Sequence, residues 1–178
     1  MPRMNQRRPD PSEHSPYFSR YMELVPENDI VAALQRQGDD TQKLLASIDE
    51  SRAGHRYAPD KWTIRQLVGH VEDAERVFAY RALSFARGAA TPLPGFDENE
   101  WAKNATYEGS TLRERAESLA AVRRATIALF RSLDDESWDR AGSANNNRVT
   151  VRALAFMCVG HERHHMTILR ERYLAQTT

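Results

Sequence analysis

The chain has 178 residues with 25 basic and 25 acidic side chains, so its formal net charge at pH 7 is zero. This length is typical of one domain with its own hydrophobic core. A chain without net charge has no global field to attract phosphate backbones, so nucleic acid is not expected as a partner. Because the apolar runs are only a few residues long, we expect neither a membrane span nor a secretory signal. The single cysteine, Cys158, cannot form an internal disulfide, and the sequence predicts a cytoplasmic protein.

The first residues differ in composition from the rest of the chain. Residues 1–17 are polar and rich in Pro and Arg, with too little apolar surface to offset the entropy of ordering. We therefore expect a disordered, mobile tail over residues 1–17 and a single domain over residues 18–178.

From Asn28 onward, apolar residues recur at helical spacing, and Gly and Pro cluster between the periodic segments. Four long helices are predicted, at about residues 29–49, 63–87, 111–133 and 150–174. No segment alternates with a two-residue period over a useful strand length. The sequence therefore predicts an all-α fold, a four-helix bundle.

Three of these helices carry a sequence signal at their start. Thr63 with Gln66, and Thr111 with Glu114, have the spacing of a capping box. Thr150 is the predicted N-cap of the last helix.

The connection between the second and third helices is unusually long. About twenty residues, 89–110, are far more than a tight antiparallel turn requires. They can run the length of the bundle and bring the third helix parallel to the second. This crossover predicts an up-down-down-up order with the second and fourth helices antiparallel. Phe96 and Trp101, within it, either wall a pocket or anchor the loop to the core.

The histidines are the chemically informative residues. The chain has six, and they are His14, His55, His70, His161, His164 and His165. A lone histidine on an apolar face is more often a core residue than a ligand. However, His161 and His165 share one inward face of the fourth helix, and buried imidazole pairs leave polar nitrogens unsatisfied. A divalent metal removes that cost by accepting a lone pair from each ring.

The predicted helix order adds a third ligand. His70 lies roughly 10 Å from the start of the second helix, and His165 roughly 13 Å from the end of the fourth. Antiparallel packing puts these positions at nearly the same level. We therefore predict a metal site formed by His70, His161 and His165.

Residues 161–165 also match H-E-x-x-H, in which two histidines bind zinc and the glutamate activates water. The proteases with this motif need a further ligand downstream, and Glu171, the only acid there, points away from the pair. We therefore reject a peptidase. Glu162 either hydrogen-bonds a ligand or, as we prefer, is a solvated helix carboxylate.

Two further residues near the predicted site have open roles. Cys158 lies one turn before His161 and is either a fourth ligand or, as we prefer, a small buried core residue. Glu75 either pairs with an arginine such as Arg76 or Arg81, which we favour, or orients a ligand histidine.

Three segments resemble the DinB/YfiT-like superfamily of bacterial four-helix proteins: KWTIRQLVGHVEDAERVFAYRAL at 61–83, LPGFDENEWA at 93–102 and GHERHHMTILRERY at 160–173. The resemblance covers the domain from about residue 28. It implies a divalent ion, often zinc or nickel, on one histidine of the second helix and two of the fourth. These positions correspond to His70, His161 and His165.

The resemblance also implies a homodimer and chemistry on small molecules with a low-molecular-weight thiol such as bacillithiol, mycothiol or glutathione. Three imidazoles leave an open position on a metal, as in catalytic zinc sites, where bound water or thiol becomes a nucleophile. The leading hypothesis is thiol S-transfer, with hydrolysis by metal-bound water as the same-site alternative. A metal or ligand sensor without turnover, and a helical interaction protein whose histidines only pack, remain open.

Overall fold

The computed structural model describes residues 7–175, and within this range no helix is both long and apolar enough to cross a membrane. The α-helices and strands are, in chain order, α1 (Ser19–Met22), α2 (Ile30–Ala46), α3 (Ile64–Ala86), α4 (Glu98–Asn104), α5 (Leu112–Arg131), α6 (Asp135–Asp139), β1 (Ala141–Ala144), β2 (Asn147–Thr150) and α7 (Val151–Ile168). Short 3-10 turns lie at Pro11–Glu13, Pro16–Phe18, Glu50–Arg52 and Tyr107–Gly109, and a π-helical stretch, Leu169–Leu174, extends α7. The protein is mostly helical, and its four long helices α2, α3, α5 and α7 are the four predicted ones.

The long helices begin where the sequence predicts. The Thr63 hydroxyl accepts a hydrogen bond from the Gln66 amide, and the Gln66 side chain accepts one from the Thr63 amide, both at 3.0 Å. Thr111 and Glu114 form the same reciprocal pair. Thr150 caps α7. These side chains satisfy amides that the first helical turn leaves without a partner.

The interior of the bundle has a polar belt between two apolar clusters. One cluster includes the fully buried Leu34, Phe85, Phe130, Leu154 and Phe156, and the other includes Ile64, Leu67, Leu119 and Leu169. Each long helix passes from one cluster to the other. Most of the buried polar residues of these helices lie at the level of this passage, and they are Gln37, Thr41, His70, Glu72, Glu75, Arg123, His161 and Glu162. The exceptions on the same helices are Arg81, Thr126 and Arg152. The polar belt therefore crosses the middle of the bundle, where the candidate site lies.

Specific contacts fix which helix ends lie side by side. The Tyr173 hydroxyl donates to the Trp62 carbonyl at 2.8 Å, so the extension of α7 ends beside the start of α3. The Glu50 carboxylate, just after α2, accepts from the Leu112 amide at 2.9 Å and from Arg65 at 2.7 Å. The end of α2 therefore lies beside the starts of α3 and α5.

The segment between α3 and α5 packs back along α3. Tyr107 lies over Gly69, where a Cβ atom would come within 2.6 Å of the tyrosine ring, so the close approach requires glycine. The Tyr107 hydroxyl donates to Asp73. Nearer its start, the segment joins a hairpin, because the Leu93 amide donates to the Ser143 carbonyl at 2.9 Å.

That hairpin is the main difference from the predicted all-α fold. Strands β1 and β2 pair antiparallel, and Asn145 and Asn146 form the turn with φ of 50° and 60°. Asparagine is favoured in such left-handed turns. The prediction of no strand is wrong here because strands of four residues are too short to show an alternating pattern, and β1 consists only of Ala, Gly and Ser.

The N-terminal segment also differs from the expectation. Residues 7–17 of the predicted mobile tail pack on the bundle, where the buried Glu13 carboxylate accepts from Arg152 at 2.9 Å and from the Thr150 hydroxyl at 2.7 Å. Burial would raise the pKa of Glu13, but these bonds, with one from the Asp10 amide, lower it. The segment is therefore held on the bundle by the pairing of the buried Glu13 carboxylate with Arg152 and Thr150 rather than by apolar surface. Residues 1–6 of the predicted tail lie outside the described residues.

Candidate metal centre

Helices α3 and α7 bring three of the six histidines together. The Nε2 atom of His161 lies 3.0 Å from Nε2 of His70 and 3.1 Å from Nε2 of His165. Ligand atoms of all three lie within 4.8 Å of one another. His70 and His161 are buried, and His165 is partly buried. The four-residue spacing on α7 places two rings on one face, and α3 supplies the third opposite them.

The environment keeps these rings neutral. Burial lowers the pKa of His70 to about 4. Burial, together with the neighbouring imidazoles, lowers the pKa values of His161 and His165 well below the ordinary range. A neutral imidazole nitrogen has either one N–H or one lone pair, so Nε2 of His161 can form a hydrogen bond with only one of its two Nε2 neighbours, and at least one nitrogen is left without a hydrogen-bond partner in the group. Three nitrogen donors directed at one point fit a divalent transition metal such as zinc or nickel.

Aromatic side chains surround the histidines on the cavity side. The Trp62 ring centroid lies 4.7 Å from that of His70, and Tyr21 and Phe78 lie 5.5 and 5.6 Å from His161. Neither Trp62 nor Tyr21 was among the predicted site residues. Trp62 directly precedes the Thr63 cap, where large apolar residues often fix the entry of the chain into a helix.

Tyr21 reaches the site because α1 crosses α7 at Gly160. A Cβ atom at Gly160 would overlap the Tyr21 carbonyl, so only glycine permits this crossing. Gly160 directly precedes His161. The N-terminal segment therefore covers one side of the histidine cluster.

Glu162 follows His161 in the chain but points to another side of α7. Its carboxylate accepts from the Thr41 hydroxyl at 2.6 Å and from the Gln37 amide at 2.7 Å, and it pairs with Arg123. Our preferred interpretation of a solvated carboxylate is wrong, since Glu162 is 1% exposed. The structure does not support a bond from Glu162 to a ligand either. The carboxylate of the glutamate in the H-E-x-x-H pattern is thus bound by residues of α2 and α5.

Glu75 forms an ion pair, as predicted, but its partner is on another helix. Both Glu75 oxygens accept from the Arg123 guanidinium of α5, at 2.8 and 2.7 Å, rather than from Arg76 or Arg81. Burial would lower the pKa of Arg123, but the carboxylates of Glu162 and Glu75 outweigh it and raise that pKa. The two acids share one buried cation, Arg123.

Cys158 lies in the apolar cluster and is not part of the histidine group. Burial raises the pKa of its thiol well above the ordinary value. This placement agrees with the preferred interpretation of a core residue.

A cavity of about 450 Å³ opens onto the three histidines. Beside α3 and α7, its walls come from the N-terminal segment at Ser15 to Tyr21, the crossover at residues 95–98 and the hairpin around residues 144–149. Phe96 lines the cavity. Trp101 is 43% exposed and packs on Phe96 with 4.6 Å between ring centroids, so of the two predicted roles Phe96 has the first.

A mostly helical bundle with three converging histidines beneath a cavity defines the class of protein: a helical bundle with a candidate metal centre. The sequence profile of the DinB superfamily matches residues 33–169. The chain therefore belongs to the DinB superfamily.

Two similar proteins are named as metal-dependent hydrolases. A protein of Oceanobacillus iheyensis, provisionally named a metal-dependent hydrolase, is 25% identical over 130 residues, which are 70% of this chain and 72% of that protein. The structure of YfiT from Bacillus subtilis, described as a "probable metal-dependent hydrolase with an unusual four-helix bundle topology", matches with a TM-score of 0.70 at 19% identity. That match covers 81% of this chain and 83% of YfiT.

A mycothiol-dependent maleylpyruvate isomerase is similar in fold at a TM-score of 0.61 and 16% identity. The match covers 82% of this chain and 61% of the isomerase. The two structural similarities show the fold.

Proposed function

We propose that the protein is a metal-dependent enzyme that holds one divalent ion, zinc or nickel, on His70, His161 and His165. The observation that supports this proposal most directly is the convergence of three neutral Nε2 atoms at the inner end of a cavity large enough for a small molecule. A protein that needed these histidines only for packing would leave at least one of the facing nitrogens without a hydrogen-bond partner in the group.

The proposal includes the up-down-down-up helix order, because this order places α3 and α7 antiparallel. Its support is the contact of Tyr173 with Trp62, which joins the end of the α7 extension to the start of α3. The pairings of Glu72 with Ser118 and of Glu75 with Arg123 advance together along α3 and α5, as in parallel helices.

The chain's own residues prepare the site in two ways. When bound, a divalent ion acts as a Lewis acid that lowers the pKa of a coordinated water or thiol. The histidines are neutral and leave the charge of the ion undiminished. Trp62, Tyr21 and Phe78 exclude bulk water from the inner end of the cavity, which strengthens electrostatic interactions there.

Hydrolysis of a small molecule is the reaction that the relatives support best, since the Oceanobacillus protein and YfiT are both named for it. Transfer or isomerisation with a low-molecular-weight thiol is the second candidate, supported by the similarity to the mycothiol-dependent isomerase. Both reactions use the same three histidines.

Metal content tests the site. We expect wild-type protein, reconstituted with zinc or nickel and desalted, to hold about one equivalent by mass spectrometry, and His70→Ala, His161→Ala and His165→Ala to hold almost none. His164→Ala is the matched control, because His164 is the neighbour of a ligand and lies outside the cluster. Wild-type protein without metal after reconstitution would contradict the enzyme proposal. Metal loss in His164→Ala would contradict the ligand set.

Turnover then separates the reactions. Loaded protein is assayed against a panel of esters and amides, and against electrophiles with bacillithiol, mycothiol or glutathione. Activity on the first panel that is absent in His161→Ala supports hydrolysis, and thiol-dependent activity supports transfer. Metal binding without activity on either panel would favour a binding protein.

A further inference from the structure

The cavity contains a buried cation that the proposed chemistry does not use. Arg81 of α3 lines the cavity and is 6% exposed. Its guanidinium donates to the Pro94 carbonyl at 2.8 Å, and no carboxylate within residues 7–175 forms an ion pair with it. Burial lowers the pKa of Arg81, with no acid to oppose the shift.

The other buried arginines show what Arg81 lacks. Arg123 lies between Glu75 and Glu162, and Arg152 pairs with Glu13 and Asp139. A buried guanidinium normally has a carboxylate partner because removing its charge from water is costly. Among the buried arginines of residues 7–175, Arg81 is therefore the one without a carboxylate partner.

The remainder of the cavity has the same electrostatic character. Arg20 and Arg148 line it at the exposed rim, and Glu98, also exposed, is the acidic residue of its wall. Aromatic rings, including Phe78 and Phe96, form much of the surface between. The cavity therefore offers an apolar wall with an excess of positive charge.

Arg81 and the histidines lie at different levels of the cavity. Eleven residues separate Arg81 from His70 on α3, which corresponds to roughly 16 Å along the helix axis. Side chains on a helix tilt toward its N-terminus, so the long Arg81 side chain inclines toward the level of His70. A single small molecule can therefore contact both.

We propose that the substrate is a small organic anion whose carboxylate or phosphate group binds Arg81 while its reacting group lies at the histidine cluster. This inference rests on the proposed function, because it assigns the class of substrate for that site. Arg suits the task, since its planar guanidinium can donate two parallel hydrogen bonds to an oxyanion and carries its charge at any physiological pH.

Arg81 also has a role as an anchor for the crossover, through the Pro94 carbonyl. That bond needs only an N–H donor, and the neutral amide of glutamine can provide one. Arg81→Gln therefore removes the charge while it can keep the anchor. Arg81→Lys keeps the charge and loses the paired donors.

Binding to the metal-free protein tests the anion site without interference from a metal. Benzoate, phenyl phosphate and the neutral benzamide are titrated by calorimetry into wild type, Arg81→Gln and Arg81→Lys. We expect at least one anion to bind wild type about tenfold or more tightly than benzamide, and Arg81→Gln to lose that preference. Arg81→Lys should keep part of it. Whichever anion binds more tightly identifies the oxyanion, carboxylate or phosphate.

Arg113→Gln is the control for a change of charge, because Arg113 is highly exposed and lies outside the cavity. It should bind all three probes as wild type does. Equal binding of the anions and benzamide to wild type, or an anion preference that persists in Arg81→Gln, would overturn the proposal.

Two further measurements, of thermal stability and of metal content, distinguish an anion site from a structural role of Arg81 and from a failure of the metal centre. The thermal midpoint of ligand-free Arg81→Gln should equal or exceed that of wild type, because the variant removes a buried charge without a carboxylate partner. A lower midpoint would show that the guanidinium stabilises the fold and would count against its being reserved for a ligand. Should Arg81→Gln fail to fold, the anion preference of Arg81→Lys decides, and its absence there counts against the site. Metal content of Arg81→Gln should match wild type, so a failed anion site and a failed metal centre are distinguishable.

Discussion

The two sides of α7 treat buried polar groups in opposite ways. On one side, Glu162 shares Arg123 with Glu75 and accepts hydrogen bonds from Thr41 and Gln37. On the other, His161 faces two further neutral imidazoles, His70 and His165. The charges on the first side are paired with other residues of the chain, whereas the three imidazoles on the second form a group that could hold a metal ion. Adjacent residues of α7 thus belong to a structural ion-pair cluster and to the candidate metal centre.

The largest expected effect comes from breaking the structural ion-pair cluster. Arg123→Met leaves Glu75 and Glu162 buried together without their shared cation, and we expect it to lower the free energy of unfolding by about 3–5 kcal/mol. Chemical denaturation of metal-free protein measures the change. Arg113→Met, at an exposed ion pair, should change stability by less than about 0.5 kcal/mol. A loss below about 1 kcal/mol in Arg123→Met would show that the cluster is dispensable.

The histidine side should respond to pH. The folded pKa of His70 is about 4, below its ordinary 6.5, so the unfolded chain binds more protons between these values. Metal-free protein should therefore keep full stability above pH 6.5 and lose it as the pH falls toward 4. Each such histidine contributes up to roughly 1.4 kcal/mol per pH unit.

Denaturation of metal-free protein at a series of pH values tests this dependence. His70→Gln should show a shallower decline than wild type, since one of the buried imidazoles is gone. An identical decline in both proteins would place the source of the pH dependence elsewhere.

The crossing of α1 over α7 gives a smaller effect. Gly160→Ala introduces a Cβ atom that overlaps the Tyr21 carbonyl, and relieving the overlap should cost about 1–3 kcal/mol of unfolding free energy. Faster proteolysis of the N-terminal segment would accompany it. Gly109→Ala is the matched control, because its Cβ atom would meet no atom within 4 Å. Equal stability of the two variants would contradict the close crossing.

Cys158→Ala has the smallest expected effect. Loss of a buried thiol from the apolar cluster should lower stability by about 1 kcal/mol. Metal content should stay at the wild-type value, because the sulfur is outside the histidine group. A drop in bound metal would instead make Cys158 a ligand.

Much of the helical framework and the histidine group could be predicted, because both depend on local spacing. The capping boxes that begin at Thr63 and Thr111 are four-residue motifs, and each marks the start of a helix. The four-residue spacing of His161 and His165 places both side chains on one face of the last helix. The third histidine required only an assumption about the order of the helices.

The partners of charged groups could not be predicted in the same way. Glu13 is ordered by Arg152, and Glu75 by Arg123, across separations that no local pattern records. Glu162 follows His161 on α7, so helix geometry alone predicts that its side chain points in a different direction from that of His161. Its buried partners on α2 and α5 could not be predicted from this position. Composition alone made residues 7–17 look unable to order because it counts apolar surface and not paired charge.

The cavity is lined both by long helices and by irregular segments. The three histidines lie on α3 and α7, which are held by the bundle, whereas Tyr17, Phe96 and Asn145 reach the cavity from three separate irregular segments. Substitutions, insertions or deletions in those segments can alter which molecules fit without disturbing the helices that carry the histidines. Changes in these segments can thus alter selectivity while the histidine group stays the same, and the fold is shared with proteins named as a hydrolase and as an isomerase.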